Sequence, residues 1–126
     1  MKRVITSLVL LPLMLGFSLF SMNKVNYLEG AVLRMTTEIL EASNAEETRR
    51  LIDEVEGLVS FWKKEERVFR ILVRHNQVES IGIAIARLPA LAKHGSKSDL
   101  QSEVLAIRWE ISDIKNTEAF KLGNVF

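Results

Sequence analysis

Nineteen consecutive residues, Val4 to Met22, carry no charge, and they follow directly on Lys2 and Arg3. A helix rises about 1.5 Å per residue, so this stretch reaches roughly 28 Å, close to the ~30 Å hydrocarbon thickness of a bilayer. Its apolar residues surround the helix axis and leave no polar stripe for water. We read residues 1–23 as a transmembrane signal anchor with its basic end in the cytoplasm. Residues 24–126 then form an extracytoplasmic domain of a single-pass protein of the cell membrane. A cleaved secretory signal shares the basic start and the apolar middle. Its candidate processing residues are Gly16 with Ser18, or Leu19 with Ser21, and neither pair has the Ala-x-Ala form. Anchoring is therefore the leading expectation, secretion after cleavage is the alternative, and the core helix of a cytoplasmic protein comes third.

Cysteine is absent, which excludes a lipoprotein, disulfides, thiol nucleophiles and cysteine metal sites together. The exported part must be held by its core alone. Without Lys2 and Arg3 the 17 basic residues become 15 against 16 acids, a net charge of about minus one. That balance gives no electrostatic reason to bind nucleic acid.

After the anchor the only proline is Pro89, and no β-branched alternation is sustained, so the fold class is all-α. The first stripe, Leu28, Val32, Met35 and Ile39, predicts a helix from about Val25 to Ala42, able to continue the membrane helix without a break. Ser43 and Glu46 have the spacing of a capping box, which predicts a second helix starting near Asn44. Its seam is Leu51, Val55, Leu58, Trp62, Phe69 and Leu72, with Glu65 as the one polar occupant. The later stripe of Val78, Ile81, Ile85, Leu88 and Ala92 is out of phase with that seam, so the helix breaks or bends near His75. A break is favoured, with Asn76 and Glu79 as a cap for the new helix.

Pro89 predicts a kink or an end near Leu88, and Gly95 suits a left-handed closing residue. Ser98 with Gln101 predicts the cap of a last helix, Asp99 to about Phe120, whose stripe is Leu100, Val104, Ile107, Ile111 and Ile114. The apolar end, Leu122 to Phe126, is expected to fold back on the bundle. Such narrow stripes bury themselves only against one another, which gives an antiparallel bundle of three to four helices behind the transmembrane helix. An odd number of helices would leave a seam half covered, and a homodimer would close it.

Few residues suggest chemistry. His75 and Glu79, one turn apart, have the spacing of a two-ligand metal half-site or a general-base pair, but no third ligand completes a zinc set. A histidine at a helix junction, bonded to a neighbouring carboxylate or carbonyl, is the plainer account. Lys63, Arg67, Arg70 and Arg74 recur along one helix face and suit lipid phosphates, teichoic-type polymers or an acidic partner, but Glu47, Glu65 and Glu66 interleave with them, and a solvated face is the plainer account. Trp62, Phe69 and Trp109 lie on or near the seams, where aromatic core anchors are the default. The same side chains with His75 would line an interhelical cavity if the chain bound a small molecule. No nucleophile triad and no glycine-rich phosphate loop is present, and no cofactor is implied.

The order of these features is similar to that of a family of short bacterial proteins known as domain of unknown function 4363. The residues that carry the resemblance are the apolar N-terminal segment, Trp62 late in the second helix, His75 before an acidic and aliphatic cluster, and the terminal Asn124, Val125 and Phe126. Gln77 stands where the family usually has an acid. The resemblance implies an exported or membrane-anchored helical protein of Gram-positive, spore-forming lineages, with no activity to carry over. The expected function is a non-enzymatic structural or protein-interaction module, in contact with the lipid bilayer and with a membrane-protein partner or a second copy. Candidate contact residues are Trp62, Phe69, His75, Glu79, Trp109 and Phe126. The alternative is an extracytoplasmic small-molecule binder or sensor accessory subunit.

Overall fold

The computed structural model describes the backbone over residues 2–125 and the side chains over residues 2–116. Four helices account for nearly all of it: α1 (Lys2–Asn44), α2 (Thr48–Leu72), α3 (His75–His94) and α4 (Lys97–Val125). α1 packs on α2 and α4, and α3 packs on the same two, so the helices stand at the corners of a square. Pairs along the α1–α4 seam, Glu29 with Lys115 and Ser43 with Gln101, show that one helix rises as the other falls. Ser80 with Glu110 and Arg87 with Glu103 show the same for α3 and α4. The result is an up-down-up-down four-helix bundle. An even, closed ring of helices removes the half-covered seam on which the argument for a homodimer rested.

α1 contains two chemistries in one uninterrupted helix of 43 residues. Up to Phe20 its large apolar side chains are exposed on every side. From Val25 the one-sided stripe takes over, and Val25, Leu28, Val32 and Ile39 are buried. The core is completed by the α2 seam from Leu51 to Phe69, by Val78, Ile81, Ile85 and Leu88 of α3, and by the five stripe residues of α4. Each fully buried aliphatic side chain contributes about 1.5–3 kcal/mol of transfer free energy.

The turns differ from the sequence expectation. Ser43 does not cap α2, because it is still inside α1 and buried. Instead α1 closes in a Schellman turn: the amide of Glu47 donates to the carbonyl of Ala42, that of Glu46 to Ser43, and Glu46 takes the left-handed conformation with φ of 57°. The break before His75 is real, and the chain reverses over Val73 and Arg74 with Val73 buried beneath the turn. Asn76 and Glu79 take no part in capping, since α3 begins at His75 without a side-chain cap. α3 also runs through Pro89 to His94. Burial of Leu88 and half-burial of Leu91 on either side hold the helix despite the lost amide.

Gly95 is extended, with φ of −88°, and ends α3 as its amide donates a hydrogen bond to the Leu91 carbonyl. Its role is close approach, because a β-carbon there would stand 2.9 Å from the Leu91 backbone. The cap of α4 falls on Ser96, two residues before the expected one, where its hydroxyl accepts from the Asp99 amide at 3.1 Å. α4 then continues to Val125, so Leu122 to Val125 of the segment expected to fold back are helical, and Phe126 lies outside the described residues.

Candidate functional site

α2 presents Trp62 and Phe69 on its buried face, two turns apart, with ring centroids 4.7 Å apart and a tilt of 33°. Across from them α3 supplies Gly82, whose missing side chain makes room for the indole. The outer edge of this contact opens as a groove of about 250 Å³ between α2 and α3, floored by Trp62, Val78 and Gly82 and rimmed by Glu66, Arg70 and Glu79. Arg70 donates to Glu66 at 2.6 Å across one turn. His75 approaches Glu79 at 3.6 Å on the next helix, with both side chains largely in solvent. The groove is thus apolar at its floor, charged at its rim and open to water. Among the described residues no three metal-ligating side chains come together.

Trp109 is not part of this site. It lies on α4, diagonal to α2 across the bundle, and is 68% exposed. The sequence carried the signal: Trp109 is two residues from both Ile107 and Ile111, and two steps of 100° place it opposite the buried stripe. Leu105, one turn earlier, is exposed beside it, so α4 bears an apolar pair on its outer face. Phe126 lies outside the described residues. The structure therefore gathers Trp62, Phe69, Glu79 and, at the margin, His75, and it separates Trp109 from them.

A family model described as domain of unknown function (DUF4363) matches residues 19–125. The chain belongs to this family. No curated protein and no solved structure matches it. The DUF4363 match begins at Leu19, within the apolar stretch, and takes in α1 from that residue and all of α2, α3 and α4.

Polar contacts that fix the DUF4363 bundle were not visible in sequence. Arg108 reaches from α4 to α1, its Nη1 lying 2.8 Å from the Leu33 carbonyl oxygen, 2.9 Å from the Thr36 hydroxyl and 2.8 Å from that of Thr37. Thr36 is fully buried, and it spends its own proton on the carbonyls of Val32 and Leu33. Arg108 thus supplies the donor that the buried hydroxyl oxygen still accepts. Nearby, the buried Glu29 meets Lys115 at 3.6 Å. At the other end of α1, Gln101 donates to Asn44 at 2.9 Å. Arg50 on α2 joins Glu38, Glu41 and Glu47, and its hydrogen bond to Glu38 raises the guanidinium pKa further above its ordinary value.

Proposed function

We propose that this protein is a membrane-anchored helical bundle that works outside the cytoplasmic membrane as a non-enzymatic interaction module. The observation that carries the reading is the first half of α1, an apolar helix long enough to cross a membrane whose large apolar side chains are uncovered up to Phe20. Water penalises such a surface, whereas a bilayer accepts it. Even the hydroxyls of Thr6 and Ser7 are turned back on the carbonyls of Lys2 and Arg3, at 2.8 and 2.9 Å, which is how polar residues satisfy themselves in lipid. Lys2 and Arg3 favour a cytoplasmic N-terminus and hence an external bundle.

An interaction role is supported by what the bundle exposes. The groove beside Trp62, at about 250 Å³, is smaller than the roughly 300–1,000 Å³ typical of small-molecule sites, and the larger hollow between α3 and α4, at about 440 Å³, is an open surface depression lined by Arg87, Asp99 and Glu103. Leu105 and Trp109 on the outer face of α4 offer a tryptophan-centred contact of the kind that dominates protein interfaces.

The test is topological. The full chain with a C-terminal tag is expressed in a Gram-positive host, and intact protoplasts are treated with protease. The expected product has its full mass, sediments with membranes and loses its tag to protease. A shortened soluble product would make the protein a secreted domain, and a protected cytosolic one would overturn the reading.

A further inference from the structure

The anchor-side end of the bundle does not stop where the apolar stretch stops. From the Glu38–Arg50 pair to the Lys24–Glu65 pair, α1 descends by fourteen residues while α2 ascends by fifteen. Continuing that register places Arg67 to Leu72 alongside Met22 to Phe17. Partial cover on Ser18, Ser21 and Met22 agrees with it. The end of α2 therefore overlaps the uncharged stretch by more than a helical turn, roughly 8 Å. That distance matches the headgroup layer, about 5–8 Å on each side of the hydrocarbon.

The overlap sets two demands against each other. The part of α1 that runs beyond the end of α2 is shorter than the hydrocarbon is thick, so spanning draws the bundle down onto the bilayer. Guanidinium groups at the same level resist entry into hydrocarbon. The balance point is the headgroup layer. The side chains exposed there suit it: Arg67, Arg70 and Arg74 are cationic, and Ile71 between them is 71% exposed, more than any other large apolar residue among those described. Of the acids of α2 and α3 at this end, Glu65 pairs with Lys24 and Glu66 with Arg70, while Glu79 lies 3.6 Å from His75 and Asp113 of α4 accepts a hydrogen bond from Gln77. Arg67 and Arg74 make no ion pair among the described residues. Tyr27, exposed beneath Lys24 at 5.1 Å, adds an aromatic of the type found at membrane–water boundaries.

We propose that the α2–α3 turn is a second membrane contact, in which Arg67 and Arg74 bind headgroup phosphates of an anionic bilayer and Ile71 enters the boundary between headgroups and acyl chains. It rests on the anchored reading and extends it from α1 to the bundle itself, which would then stand at a fixed height and rotation on the surface instead of swinging from a single helix.

The chain has no cysteine, so Ile71→Cys gives one labelling position. The full chain carrying an environment-sensitive fluorophore there is reconstituted into phosphatidylcholine vesicles with and without about 30 mol% phosphatidylglycerol. Ala45→Cys, exposed at the opposite end of the bundle, is the control. Flotation after an alkaline wash reports on the anchor separately. The expected result is blue-shifted emission and loss of iodide quenching at position 71 but not at 45, stronger with phosphatidylglycerol. Arg67→Gln with Arg74→Gln should abolish the dependence on anionic lipid and leave flotation intact. Flotation with position 71 as quenchable as position 45, or indifferent to lipid charge, overturns the inference and leaves the anchor standing. Loss of flotation in the labelled protein overturns the anchored reading and this inference with it.

Discussion

The indole nitrogen of Trp62 lies so close to Gly82 that a β-carbon at position 82 would stand 3.1 Å from it. The indole has little room to yield, since it is buried and stacked on Phe69. Alanine in place of a mid-helix glycine normally stabilises by about 0.8–1 kcal/mol. At Gly82 the crowding outweighs that gain, and Gly82→Ala is expected to destabilise by about 1 kcal/mol. Gly57, exposed in the middle of α2 with nothing near its absent side chain, is the comparison. Gly57→Ala should stabilise by about 1 kcal/mol. Urea midpoints of the two variants in the same detergent decide it, and equal shifts would show that the indole moves aside.

Two turn residues make opposite predictions. Glu46 holds a left-handed conformation that disfavours a side chain, so Glu46→Gly should stabilise by about 0.5–1 kcal/mol. Gly95 is extended, yet a β-carbon there would meet Leu91 backbone atoms at 2.9 Å, so Gly95→Ala should destabilise by about 1–3 kcal/mol. Thermal unfolding of both variants is sufficient, and a neutral Gly95→Ala would show that the α3–α4 turn adjusts freely.

These turns also mark where the sequence stopped being legible. Stripes of Leu, Val and Ile could be read because burial on one face imposes a period: the α4 stripe from Leu100 to Ile114 is buried throughout, and the phase slip after Leu72 became the break before α3. Helix ends follow weaker and ambiguous signals. Ser43 and Glu46 have capping-box spacing, but the same residues close the preceding helix, where Ser43 sits beneath Gln101 of α4. Ser96 and Ser98 both fit a cap of α4, and only Ser96 makes the bond. The candidate site divides in the same way. Trp62 and Phe69 follow from the α2 seam, whereas Gly82 as their partner depends on the register between α2 and α3, which no local pattern specifies.

Arg108 tests whether a polar crossing stabilises the bundle. Its guanidinium serves the buried Thr36 hydroxyl and the Leu33 carbonyl, so Arg108→Ala should cost about 1.5–3 kcal/mol. Thr36→Val removes the acceptor, and the double variant should be more stable than the sum of the two losses predicts, by at least about 0.5 kcal/mol. Strict additivity in a double-mutant cycle by urea unfolding would show that Arg108 acts through packing of its stem alone.

The two tryptophans separate core from surface in one experiment. Trp62 is 4% exposed and Trp109 is 68% exposed. Trp62→Ala empties a core position and should cost about 3–5 kcal/mol. Trp109→Ala removes a side chain that touches little and should stay within about 0.5 kcal/mol of the parent. Emission reports the same division: with Trp109→Phe the remaining Trp62 should fluoresce to the blue, and with Trp62→Phe the remaining Trp109 should fluoresce to the red and be open to iodide. A Trp109 that is shielded in detergent-solubilised protein would mean that another chain already covers it. Cross-linking would then identify that chain as a second copy or a different protein, because a stable, exposed Trp–Leu pair on α4 has no role in holding this bundle together.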